Sequence, residues 1–235
     1  MAGLSKEEMY PYGLRPVQGE GKMEATVERL GKISTAPMQE SRFVKTHSIL
    51  YELDGKERRW DMVISMPSVG VLLYHKDLKA MLVVRQFRAT VWCSRQQEAA
   101  AEGRADPPHA AGFTYELCAG LVDKEKPLPQ VAAEEVEEEC GFKVAAEALQ
   151  LVTGYRSSVG TSGSQHTLFF AEVGESDRSG AGGGLTDDGE AIEVLALPLD
   201  RCQDFIADVH IPKSAALVLG MLWLQARINA QQGPS

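Results

Sequence analysis

Apolar residues along this chain gather into short dense runs, separated by polar breaks marked with glycine or proline, and most of the runs read as strands. Residues 42–66, RFVKTHSILYELDGKERRWDMVISM, predict a hairpin, because Asp54-Gly55 joins two strand-like runs and favours a tight turn. SVGVLLYH (68–75) and AMLVVRQF (80–87) predict a second pair turning through Lys76–Lys79, and their Val and Leu content suits buried strands. FTYELCAG (113–120), LQLVTGYRSS (149–158), SQHTLFFAEV (164–173) and EAIEVLALPL (190–199) continue the series. Residues 95–112 read as a short helix or surface loop, 199–208 as a short helix, and 212–231 as a long one, with Pro212 where a helix can begin. That last helix is apolar nearly all round from Ala215 to Leu224, which predicts burial on several sides, in the core or against another subunit. Residues 1–38 are rich in glycine, proline and charge with little periodicity, and are expected to be a partly ordered extension. No internal repeat is present, and the element order predicts a mixed sheet flanked by helices, α/β or α+β.

One segment departs from this pattern. Between Gly120 and Gly141 a predicted helix carries Glu134, Glu135, Glu137, Glu138 and Glu139. Glu135, Glu138 and Glu139 share one helix face, while Ala132, Ala133, Val136 and Cys140 form an adjoining apolar face that can pack. Two like charges about 6 Å apart repel by roughly 3 kcal/mol at an effective dielectric near 20. Such a cluster calls for a cation among its members, and hard oxygen ligands at this density suit Mg²⁺ or Mn²⁺, with coordination positions left for water and phosphate. A glycine turn after an apolar strand precedes the helix and Gly141 stands at its C-terminal cap, which marks a built site more than a solvated acidic face.

The stretch resembles the Nudix box, Gly-x5-Glu-x7-Arg-Glu-apolar-x-Glu-Glu-x-Gly-apolar. It matches at Gly120, Glu135, Val136, Glu138, Glu139, Gly141 and Phe142 with the full spacing kept. Lys126 stands where the box usually has glutamate and Glu134 where it has the arginine that helps orient the carboxylates. Compensation is expected from Lys124, Lys126 or another nearby cation. From about residue 40 to 228, and most specifically in RSGAGGGLTDDGE, the chain resembles the nucleoside diphosphate sugar branch of that family. The resemblance implies a Nudix-type α/β/α sandwich with a mixed β-sheet and an N-terminal β-rich extension. Residues 39–230 would form the hydrolase domain, its N-terminal strands reaching across a homodimer.

It also implies metal-dependent hydrolysis of the pyrophosphate bond of a nucleoside diphosphate sugar, UDP-glucose foremost, to a nucleoside monophosphate and a sugar 1-phosphate. Glu135 and Glu139 are then the metal ligands, with Glu138 assisting and the Ala119 backbone carbonyl completing the shell, around Mg²⁺ or alternatively Mn²⁺. The acidic loop 186–190 supplies Glu190 as a metal or water contact and Asp188 as a candidate base, and glycines 182–184 and 189 would permit a lid to close. Arg85 and Arg88 are candidates to bind phosphate through a planar fork, with structural ion pairing as the alternative for each. Glu116 is a candidate acceptor for a sugar hydroxyl. The segment from Ser158 to Ser164, including Gly160, is a candidate contact for the sugar or terminal phosphate. Trp60 can stack on a base or serve as a core or dimer contact.

A formal net charge of −9 argues against nucleic acid or an anionic membrane as the main partner, since both need cationic footprints. The four cysteines (Cys93, Cys118, Cys140 and Cys202) have no CxxC spacing and read as reduced, partly buried thiols, and the histidines show no ligand spacing. No apolar run approaches the ~20 residues of a membrane span, and the first residues lack the apolar core of a signal peptide, so a cytoplasmic location is expected. Two other readings stay open: an ADP-ribose pyrophosphatase with the same mechanism, and an inactive module that binds nucleotide sugars.

Overall fold

The computed structural model describes residues 5–38, 41, 44–185 and 190–232. The chain begins with α1 (Lys6–Met9), β1 (Arg15–Gln18) and α2 (Lys22–Arg29), followed by the hairpin strands β2 (Lys45–Leu53) and β3 (Lys56–Ile64). Next come β4 (Ser68–His75), β5 (Ala80–Phe87), α3 (Ala89–Ala101), β6 (Phe113–Glu116) and β7 (Cys118–Leu121). Helix α4 (Leu128–Glu135) runs directly into a π-helical turn, Val136–Cys140. Then follow β8 (Gln150–Ser157), β9 (Ser164–Val173), β10 (Glu193–Pro198), α5 (Cys202–Ala207) and α6 (Ala215–Gln232).

Strands β4 and β5 pair only beside their turn, from Leu73 opposite Leu82 to His75 opposite Ala80, and then part. The gap is filled from the same chain: β6 pairs with the far half of β5, and β7 with the far half of β4. The full order is β1-β10-β5-β4-β9-β8, with β4 and β9 parallel and the other pairings antiparallel. Both faces of this mixed sheet are covered. Val69, Val71, Leu73, Leu82, Val84, Val194 and Ala196 pack with Val131, Ala132, Val136 and Cys140 of the acidic helix. The alternate residues Leu72, Met81, Val83, Leu195 and Leu197 pack with Phe205 of α5 and Leu217, Met221 and Leu224 of α6. The sheet is buried on both sides, so its strands read as continuous apolar runs without alternation. The α/β fold with a mixed sheet is the one the sequence predicted.

The expected hairpin forms around Asp54 and Gly55, whose φ values of +54° and +69° are those of a mirror-image two-residue turn. It makes a separate two-stranded sheet that stands largely clear of the core, with Leu50 77% and Trp60 54% exposed. Within the expected partly ordered extension, residues 1–38, β1 adds an edge strand to β10 and α2 buries Met23 and Val27 against Phe113. A four-residue strand holding Pro16 is too short to show periodicity, and proline is tolerated because the strand lies at the edge. Of helix α6, expected to be buried in the core or against another subunit, the chain itself buries one stripe and leaves Leu219 and Leu222 exposed. No described helix is long and apolar enough to cross a membrane.

Candidate active site

The acidic helix lies beside β7, and glycine permits their close approach. A Cβ on Gly120 would fall 2.0 Å from the Glu135 carboxyl carbon, so Glu135 rests against bare backbone. One turn later Glu139, 4% exposed, accepts a hydrogen bond from the Ala119 N–H at 3.0 Å. Ala119 had been expected to contribute its carbonyl. The contact seen here is through its N–H.

Burial pushes the Glu139 carboxyl up to about 8, the charges of Glu135 and Glu190 adding to the shift and the Ala119 N–H and the Cys118 thiol opposing it. Glu135 is pushed up to about 7 by burial and by the charges of Glu138 and Glu190. Glu190 belongs to the same electrostatic cluster, its carboxylate accepting from the Leu185 N–H at 2.8 Å. Asp188 lies outside the described residues.

Arg88 borders the cluster, feeling the charges of Glu139 and Glu190. Its fork is bidentate to Glu116, Nε and Nη2 each donating at 2.8 Å. Burial opposes ionisation of Glu116, but this pairing and the Thr114 hydroxyl outweigh it and hold its pKa below the usual value. Arg88 and Glu116 therefore act as one pre-formed unit at the rim.

Arg85 takes the alternative expected for it, a structural ion pair. Side chains alternate along β5, and Arg85 falls on the face away from the carboxylates, 1% exposed, where it pairs with the buried Glu193. Its Nε donates to Glu193 at 3.0 Å, and Nη1 donates to the Met9 carbonyl and to Tyr115. Its fork is committed inside the core.

Trp60, Ser158 and Gly160 come together elsewhere. The Trp60 indole N–H donates to the Gly160 carbonyl at 2.7 Å, and the Ser158 carbonyl closes the loop by accepting from Thr161, Ser162 and Gly163. The hairpin is thereby tied to the loop before β9, beside an open cleft of about 480 Å³ that includes His47, Arg59, Asp61 and Thr161. None of the clustered carboxylates lines that cleft.

The described part of the glycine-rich loop is tied to the end of the acidic helix, and Gly189 of the expected lid lies outside the described residues. The Gly183 and Gly184 N–H groups donate to the Glu139 and Glu138 carbonyls at 2.7 and 3.1 Å, and Ser179 and Gly180 donate to the Gly141 carbonyl. At Gly182 a Cβ would lie 2.7 Å from the Glu139 carbonyl oxygen. The loop caps carbonyls that a helix end leaves without partners, and only glycine fits so close.

The two departures from the box face each other. Lys126 Nζ lies 2.5 Å from Glu134 Oε1, with Lys124 3.4 Å from its other oxygen. The pair keeps opposite charges at the two positions with the ends exchanged, so Glu134 is neutralised and adds no net repulsion to the cluster. Lys126→Glu or Glu134→Lys alone is expected to lower turnover and melting temperature. The doubly exchanged protein should regain both, and a double-mutant cycle on these two readouts checks this.

Among the described residues no salt bridge reaches Glu135, Glu138, Glu139 or Glu190. Nor is any trio of His, Cys, Asp or Glu side chains arranged as a ready-made cage. Buried Glu139 and half-buried Glu135, with no salt bridge to either, fit a divalent cation held by two acids, with the rest of its shell left to water and phosphate.

No family model matches the chain. It is 36% identical over 210 residues to the uridine diphosphate glucose pyrophosphatase of Bos taurus, covering 84% of this chain and 95% of that protein. The protein of the same description from Mus musculus is 31% identical over 215 residues, with 86% and 97% covered. The GDP-mannose pyrophosphatase of Klebsiella pneumoniae is 34% identical over 149 residues, 63% of this chain and 66% of that one. Among solved structures, the crystal structure of an ADP compounds hydrolase superposes with a TM-score of 0.60 at 15% identity, covering 83% of this chain and 91% of that one, a likeness of fold.

Proposed function

We propose, because this chain belongs to the Nudix hydrolases of the nucleoside diphosphate sugar branch, that it splits UDP-glucose into UMP and glucose 1-phosphate. Hydrolysis of the pyrophosphate bond of a nucleotide sugar is the reaction of the branch. The choice of uridine and glucose rests on the high coverage of the two uridine diphosphate glucose pyrophosphatases. The observation that carries the site is the carboxylate cluster of Glu135, Glu139 and Glu190, which no salt bridge reaches, the first two fixed against Gly120 and Ala119 and the third by the Leu185 N–H.

Glu135 and Glu139 would hold the divalent cation, Mg²⁺ by preference and Mn²⁺ as the alternative, with Glu138 assisting. When bound, the cation neutralises phosphate charge and lowers the pKa of a coordinated water. The protein's own part is positioning. The Ala119 N–H orients Glu139, the Leu185 N–H orients Glu190, and Arg88 offers positive charge at the rim while Glu116 fixes its fork. Asp188 keeps its place as the candidate base.

Purified protein with Mg²⁺ should release UMP and glucose 1-phosphate from UDP-glucose faster than AMP and ribose 5-phosphate from ADP-ribose, with products separated by ion exchange. Faster ADP-ribose cleavage would keep the mechanism and overturn the specificity.

A pH dependence follows. Metal ligands must be deprotonated, and these carboxyls titrate at about 7 and about 8 in the metal-free protein. Cation affinity should therefore rise with pH through that window and level off above it, with protons released on binding near neutrality. Calorimetry in two buffers of different ionisation enthalpy measures this directly. For stability the sign is opposite. The folded protein prefers both acids neutral, so the metal-free form loses stability as pH rises from the ordinary carboxylate value of 4.5 through about 8, and the cation offsets the loss.

The chain acts as a homodimer through its N-terminal strands in the domain spanning 39–230. The exposed apolar residues Ile49, Leu50, Tyr51 and Trp60 of the hairpin support this reading. Light scattering should give twice the 25.6 kDa chain mass, and a monomeric mass would overturn it. Its free, partly buried cysteines suit the reducing cytoplasm.

A further inference from the structure

A distant segment grips the C-terminal end of the carboxylate helix. Gln18, buried at the end of β1, donates from its side-chain amide to the Cys140 carbonyl. Four residues on, Lys22 Nζ donates to the Gly183 carbonyl at 3.1 Å. Gly183 in turn donates its N–H to the Glu139 carbonyl at 2.7 Å, and Gly184 donates to the Glu138 carbonyl at 3.1 Å. The next residue, Leu185, donates to the Glu190 carboxylate. One ammonium group thus stands behind a short loop that touches the helix on one side and Glu190 on the other.

The grip is itself fixed. Gln18 is held in register opposite Val194, and Met23 and Val27, just past Lys22, are buried against Phe113. Between them Gly19, at φ +68°, passes so near the Ile192 carbonyl that a Cβ would lie 3.0 Å from its oxygen. Lys22 also brings positive charge to a helix C-terminus, where outward carbonyls favour it.

We propose that Gln18 and Lys22 are positioning residues for the metal-holding carboxylates, setting the Glu139 backbone and the Glu190 side chain relative to each other. Residues 15–22 are then part of the catalytic apparatus without touching substrate. This rests on Glu135 and Glu139 being the metal-holding pair.

Binding of Mn²⁺ to the metal-free full chain, followed by the loss of its free-ion paramagnetic resonance signal, tests the proposal alongside kinetics on UDP-glucose. Lys22→Met and Gln18→Met should each weaken Mn²⁺ affinity by about 10- to 100-fold and lower kcat with little change in KM, as loss of support behind ligands does. Lys22→Arg should recover most of both. Mn²⁺ affinity and kcat at wild-type values in folded variants, with only the melting temperature lowered, would make the contacts merely structural and overturn the proposal. If Lys22→Met does not fold, Lys22→Gln and Gln18→Met decide the question. The underlying reading fails separately, when Glu139→Gln binds Mn²⁺ as tightly as the wild type does.

Discussion

Glu139→Gln is expected to reduce turnover by about 10³-fold or more, about 4 kcal/mol of barrier, while the protein stays folded. The loss follows from the site, where the carboxylate is buried, paired with no cation, and aimed with Glu135 at one region of backbone. Without its charge a divalent ion loses one of two strong anchors, and the stabilisation it lends to a transferring phosphoryl group is worth several kcal/mol. The fold should survive because glutamine mimics the protonated acid. With the carboxyl at about 8, much of the wild type already carries it neutral near pH 7 in the absence of metal. Above pH 8 the metal-free variant should melt higher than the wild type, which must then bury a charge. Thermal melts at pH 6 and 9, with and without Mg²⁺, separate these effects. A variant that retains activity would remove Glu139 from the site.

Arg85→Met should act on stability and leave recognition alone. The Arg85–Glu193 pair is fully enclosed, and the Tyr10 hydroxyl donates to the same glutamate at 2.9 Å. Removing one partner of a buried pair strands the other charge, at a cost of about 3–5 kcal/mol. For a domain of this size that lowers the melting temperature on the order of 10 °C. The KM of the folded fraction should not change, because Arg85 lies on the sheet face away from the carboxylates. Arg85→Met with Glu193→Leu should recover much of the loss, since well-packed apolar residues can replace an enclosed pair. A selective rise in KM would return Arg85 to the substrate.

The two arginines of VVRQFR show how far sequence reading extends. They are three residues apart at the end of one apolar run, and both suit a phosphate by chemistry. The pleat and the end of β5 separate them: Arg85 points to the α6 side and meets Glu193, while Arg88 lies past the strand end and meets Glu116. Neither partner is near in sequence, so no local pattern announces either pair. Lys126 and Glu134 differ: only eight residues apart, they are the compensation that the sequence led one to expect, and the loop brings them together.

Sequence by itself determined the features set by short-range rules. Asp54-Gly55 set a turn, dense Val and Leu runs set strands buried on both faces, and the spacing from Gly120 to Phe142 set a cluster of carboxylates on the acidic helix and carried the family resemblance. Tertiary structure decided everything that depends on long-range closure. It made an edge strand of residues 15–18, tied the glycine-rich loop to the end of the acidic helix as a cap, and brought Glu190 close enough for its charge to act on Glu139. The reason is physical. Backbone propensity and side-chain period act within a few residues, whereas an unpaired carbonyl or a buried charge is satisfied by whatever group the fold brings to it, at any distance along the chain.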